Sequence, residues 1–190
     1  MNTSGKLGTV KLVRHLINQM NKFKIRRLER TDAQEFQRLR LFALQNNSSS
    51  FGSSFEEEVK KSLEQFEAFI EPKGERVFWG AFENDRLIGM VGLGREDGFK
   101  TKHKGFIRSM FVDPSARKLG VASELLKTAI DHSEAQMKLE QLTLAVNSTN
   151  FEAINLYKKF RFVEYGIEPN ALKIEGRYFS EILMCRLSVP

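Results

Sequence analysis

The chain has 190 residues, 41% of them hydrophobic and 28% charged, a size and balance that predict one globular domain and exclude collagenous, low-complexity and mostly disordered classes. One cysteine, Cys185, excludes an internal disulfide and a thiolate metal cluster, and no apolar run reaches the ~20 residues that span a bilayer. The net charge of +6 is uneven: residues 1–30 carry eight basic residues and one acid, whereas residues 31–190 carry 22 basic and 23 acidic, so no phosphate-tracking groove and no nucleic-acid partner are expected of the body.

Residues 1–21 are expected to be a basic extension, disordered or helical, ahead of a domain at 22–190. Arg14, His15, Asn18 and Gln19 interrupt what would be a signal-peptide core, so a cytoplasmic protein without a membrane partner is expected. Phe23 to Leu28 alternates apolar and basic residues, as a strand with one buried face does. Thr31-Asp32-Ala33-Gln34 predicts a capping box and a helix to about Leu44, with Phe36, Leu39 and Ala43 inward. Gln45 to Gly52 has loop composition. Ser54-Phe55-Glu56-Glu57 predicts a second capping box, opening one helix to about Glu71 with Val59, Leu63, Phe66 and Ile70 on one face.

Arg76 to Phe82 and Arg86 to Gly94 predict an antiparallel hairpin around Glu83-Asn84-Asp85. A basic loop, Gly98 to Lys104, precedes a strand at Phe106 to Val112 that stops at Asp113-Pro114. A helix at Leu119 to Met137, a strand at Leu142 to Val146, a helix at Phe151 to Phe160 and strands at Phe162 to Glu168 and Tyr178 to Leu187 complete the chain. This is a mixed α/β (α+β) domain without repeats or linkers.

The stretch Val112 to Leu126 is a strand, a turn containing Gly120, and a helix start. Unpaired N–H groups and the partial positive charge of a helix N-terminus suit a pyrophosphate, and Arg117 and Lys118 add cations. An ordinary turn is the alternative. No Gly-Lys-Ser/Thr follows, so it is not a P-loop, and two of the three dinucleotide-fingerprint glycines are missing.

Arg117-x-x-Gly120-x-Ala122 after Phe111-Val112-Asp113-Pro114 resembles the acyl-CoA signature of the GNAT N-acetyltransferase family. Asn150-Phe151-Glu152-Ala153-Ile154-Asn155-Leu156-Tyr157, followed by Phe160-Arg161-Phe162, is similar to that family's later Asn-x-x-Ala-x-x-Leu-Tyr segment, and Tyr178 to Met184 to its closing strand. Arg161 stands where the family usually has Gly, which puts a tight turn there in doubt; Lys118 stands where Gly is common, a milder departure.

The resemblance covers about residues 23–188. It implies a mostly antiparallel mixed sheet of about seven strands flanked by helices, with a splayed strand pair at the acyl-CoA site. It implies acetyl-CoA as co-substrate, backbone contacts to it from Met110, Phe111 and Val112, and a pyrophosphate held by amides of Arg117, Lys118, Leu119, Gly120, Val121, Ala122 and Ser123. Asn150 would touch the cofactor arm, and Tyr157 would stand by the sulfur as general acid. A tyrosine with pKa near 10 can donate to a departing thiolate, in agreement; the alternatives are a helix cap for Asn150 and a packed aromatic with a wet hydroxyl for Tyr157.

The acceptor would be a primary amine of a small molecule or peptide. Alternatives are a protein or ribosomal-protein N-terminal or lysine acetyltransferase, and an acyl-CoA-binding module without turnover. Ile107-Arg108-Ser109-Met110 lacks the carboxylate that many members place there, so Glu181 and Glu56 to Glu58 are the candidate bases. His15, His103 and His132 lack metal-ligand spacing, predicting surface histidines and no metal. Cys185 reads as core, Phe78 and Trp79 as packing or acceptor-site wall, and Asn46 to Ser54 as connector or substrate lid. The sequence leaves the oligomeric state open, a homodimer included.

Overall fold

A computed structural model describes residues 23–72 and 74–188; the N-terminal extension expected at residues 1–21 lies outside them, as does His15. Seven strands form one sheet in the order β1-β2-β3-β4-β5-β7-β6: β1 Lys24–Arg27, β2 Arg76–Glu83, β3 Arg86–Arg95, β4 Lys104–Val112, β5 Gln141–Asn147, β6 Val163–Ile174 and β7 Arg177–Leu187. Every neighbouring pair is antiparallel except β4 and β5. That one parallel junction needs a crossover, supplied by α4 (numbered below).

The helices are α1 Ala33–Asn46, α2 Phe55–Glu58, α3 Leu63–Ile70, α4 Val121–Ala135 and α5 Phe151–Lys159. Phe36, Leu39 and Leu44 of α1, with Phe66 and Ile70 of α3, pack on one sheet face against Phe78, Met90 and Phe111. Val121, Leu125 and Ile130 of α4, with Ile154 and Tyr157 of α5, cover the other, against Trp79, Leu93 and Ile107. Covered on both faces, β2 and β3 are near-continuous apolar runs. No helix among the described residues is long and apolar enough to cross a membrane.

Three local readings are corrected. The first capping exchange is between Glu29 and Asp32 across a 3-10 turn, Arg30–Asp32, because Asp32 accepts from the Glu29 amide at 2.9 Å and pairs with Arg26. The helix expected from Ser54 to Glu71 is two: Ser62 and Gln65 form their own capping box, which starts α3 afresh and leaves Val59 and Leu63 exposed. The last two strands are a longer hairpin. Glu175 and Gly176 both take positive φ, 47° and 79°, as a tight two-residue turn requires.

Candidate active site

The site begins with a defect in β4. Met90 pairs with Phe111 and Gly92 with Arg108, so β4 carries one extra residue there, and Ser109 has φ 52°. A bulge of this kind bends its strand. The β4–β5 pairing covers Lys104–Phe106 against Gln141–Thr143 and ends there. Beyond it the strands diverge, and a cavity of about 1130 Å³ opens between them. Its walls include Met110, Phe111 and Val112 of β4 and Leu144 to Asn147 of β5, two strand edges whose facing backbone groups have no partner strand among the described residues. Such an edge accepts another extended, amide-bearing chain.

The turn after β4 is pinned by Asp113, whose carboxylate accepts from the Ser115 amide at 3.0 Å and hydroxyl at 2.7 Å and pairs with Arg86 at 2.9 Å. Burial pulls its pKa up, yet those hydrogen bonds and Arg86 outweigh burial and hold the carboxyl below its usual range. Gly120 caps α4 with φ 85°, where a side chain is strained. Arg117, Lys118, Gly120, Val121, Ala122 and Ser123 line the cavity, so the free amides of the first turn of α4 border it. Leu119 does not line it, and its side chain is exposed. Lys118 has φ 63°, which makes its departure from Gly a strained one.

Asn150 and Tyr157 lie on the same cavity. Asn150 caps α5, accepting from the Ala153 amide at 3.1 Å. Tyr157 is 6% exposed and packs edge-on against Phe162 at 5.9 Å. Burial pushes its hydroxyl up to about 12, so it is protonated at any working pH. The tight turn after α5 forms despite Arg161: the residue takes φ 66°, and the Phe162 amide reaches the Tyr157 carbonyl at 3.1 Å.

The expected bases fare differently. Glu58 is 4% exposed and forms a two-pronged ion pair with Arg40 at 2.9 and 3.0 Å. Burial alone would raise its pKa, but Arg40 outweighs it and keeps Glu58 charged and engaged, which removes it as a base. Glu56, Glu57 and Glu181 do not line the cavity, and of the three only Glu181 lies in register beside a residue that does, Asn147. Glu181 pairs in register with Asn147 on one side and Glu168 on the other, so the three share a sheet face. Burial, then Glu168, raise its pKa.

Asn147 went unread in the sequence. It is 3% exposed, donates to the Ser49 carbonyl at 2.9 Å and accepts from the Thr149 amide and hydroxyl. It thereby ties the Ser48–Ser50 turn over the end of β5, where Asn47, Ser49, Ser50 and Phe51 wall the cavity. The local signal was Asn with Thr two residues on, an Asx turn. Phe78 and Trp79 are core. His132 is half-buried against the Trp79 ring at 5.1 Å, and Cys185 is partly exposed where core was expected.

A sequence profile described as the acetyltransferase (GNAT) family matches residues 40–162. The chain is 27% identical over 167 residues to a spermidine N(1)-acetyltransferase of Escherichia coli, covering 85% of this chain and 84% of that one. It is 35% identical over 96 residues to an N-alpha-acetyltransferase of Sulfolobus acidocaldarius, spanning 47% of this chain and 57% of that relative. An acetyltransferase of the GNAT family from Streptococcus pneumoniae has the same fold, with TM-score 0.78 at 24% identity over 87% of this chain and 99% of that one.

Proposed function

Because the chain belongs to the GNAT acetyltransferase family and is an acyltransferase, we propose that it transfers the acetyl group of acetyl-CoA directly to a primary amine of a small molecule or peptide. The observation that carries this is the open wedge between β4 and β5, with the first turn of α4 at its border. Backbone groups of Met110, Phe111 and Val112 hold the pantetheine arm as an added strand, and amides from Arg117 to Ser123 hold the pyrophosphate. Asn150 flanks the arm while capping α5. The amine attacks the thioester carbonyl, the C–S bond breaks, and Tyr157 gives its proton to the leaving sulfur. Glu181, next to the cavity-lining Asn147, takes the proton from the amine through water.

Residues 22–190 form the catalytic domain in this reading and residues 1–21 a basic extension. A cytoplasmic location belongs to the same reading, as does a homodimer, the latter supported by the edge strand β6 with exposed Val163, Tyr165 and Ile167.

Thermal unfolding in parallel with acetyl-CoA, CoA, ATP and NAD tests the proposal. A ligand at ~100 times its dissociation constant stabilises by about 2.7 kcal/mol, and the shift is expected with acetyl-CoA and CoA and not with NAD. No shift with either thioester or thiol would make the Arg117 to Ala122 segment an ordinary turn and overturn the reading.

A further inference from the structure

A second cavity of about 290 Å³ lies beside the first and shares Arg108 with it. A space of this size is at the small end for a ligand site. Arg76, Arg95 and Arg108 face it, with Glu75 and Asp97. Arg95 is engaged by Glu75 and by the carbonyls of Lys102 and Met137.

The other two arginines differ. The Arg76 guanidinium lies over the Phe69 ring at 5.4 Å, and its Nε is buried with no hydrogen-bond partner among the described residues. The Arg108 guanidinium lies over the Phe106 ring at 4.3 Å and makes no hydrogen bond or ion pair among the described residues. Burial, then the charge of Arg76, lower the Arg108 pKa, against the weaker opposing influence of Asp97 and Glu96. Two neighbouring guanidinium groups with donors to spare are an arrangement that an oxyanion relieves, since each planar fork matches a carboxylate.

The fold places this pair with reference to the wedge. Glycines in β3 leave the room: a Cβ on Gly94 would lie 2.4 Å from the Phe106 ring and one on Gly92 3.2 Å from Arg108 Cγ. The extra residue at Ser109 sets Arg108 on the same sheet face as Phe111, because Gly92 opposite Arg108 faces Phe78, which packs in one core with Phe111. Arg108 therefore spans the wedge and the smaller cavity.

Resting on the acetyl-transfer reading of the wedge, we infer that the acceptor is an amine that also carries a carboxylate, which Arg108 and Arg76 hold in the second cavity while the amine faces the thioester. A polyamine would place a further cation against these two and is disfavoured.

The test is free-thiol release from acetyl-CoA with short ω-amino acids, their amides and the diamines of equal length. The amino acids are expected to exceed amides and diamines in kcat/KM by about tenfold or more, and Arg108→Gln or Arg76→Gln to erase that preference while the acetyl-CoA thermal shift persists. Amides or diamines used equally well, or a preference that survives both substitutions, would overturn the inference. Glutarate titrated calorimetrically, with and without CoA, decides the matter if none of these acceptors turns over. Binding weakened about tenfold or more by Arg108→Gln upholds the site; no binding, or binding that ignores the substitution, removes it. Loss of acetyl-CoA binding alone would instead strike the transfer reading.

Discussion

Burial raises the pKa values of both Tyr157 and Glu181, with Glu168 adding to the second, and each yields a signed prediction. The Tyr157 hydroxyl goes from 10.0 to about 12 through burial. The folded state therefore holds this proton more tightly. Its contribution, about 3 kcal/mol, is fully present below pH 10 and is lost as pH rises through about 12. Tyr157→Phe is expected to lose less stability than wild type in urea melts taken between these pH values, and to slow turnover with nearly unchanged acetyl-CoA affinity. An unchanged rate would remove Tyr157 as the acid. Glu181 is raised by burial, then by Glu168, so its contribution is present below the ordinary carboxylate range and is lost as pH rises through its folded pKa. Glu181→Gln is expected to raise the melting temperature at neutral pH, to gain nothing in acid, and to slow turnover; a variant with full activity would end its role as base. The Gly120 turn and the Asn150 cap were legible in the sequence because each acts within a few residues of itself. Asn147 acts on Ser49, 98 residues away, and Arg76 and Arg108 come together only across β3, so no local pattern announces them.

Elements were legible where burial imposes a period. Strands β2 and β3 and helices α4 and α5 fall within a few residues of the reading, since a face packed on the sheet must be apolar at spacing 2 or 3.6. Boundaries set by one hydrogen bond escaped. The Ser62–Gln65 exchange splits a helix that periodicity alone would carry through. The turn after α5 shows the reverse case, where the sequence argues against a turn that packing enforces. Tyr157, buried on the sheet, and Phe162, 1% exposed, anchor both sides, so Arg161 is held at φ 66°. Left-handed backbone costs a non-glycine about 1–2 kcal/mol, and glycine's extra freedom when unfolded returns roughly 0.5–1 kcal/mol of that. Arg161→Gly is expected to stabilise by the difference, up to about 1.5 kcal/mol, in chemical denaturation. A destabilised variant would mean that the Arg161 side chain makes up for the strain.

For the whole molecule, the sequence by itself determined the mixed α/β class, the order of elements apart from the split between α2 and α3, and the turn that enters α4. Each of these rests on hydrophobic period, capping chemistry and glycine placement, which act over short stretches of chain. Only the tertiary structure decided where β4 and β5 part, because pairing that stops after Phe106 and Thr143 depends on strands separated by a whole crossover. It also decided which charges the carboxylates face. Burial alone would raise the pKa of both Glu58 and Glu181, yet one faces Arg40 and the other Glu168. Charge partners chosen across the fold set their opposite behaviour, and a linear chain carries no record of that distance.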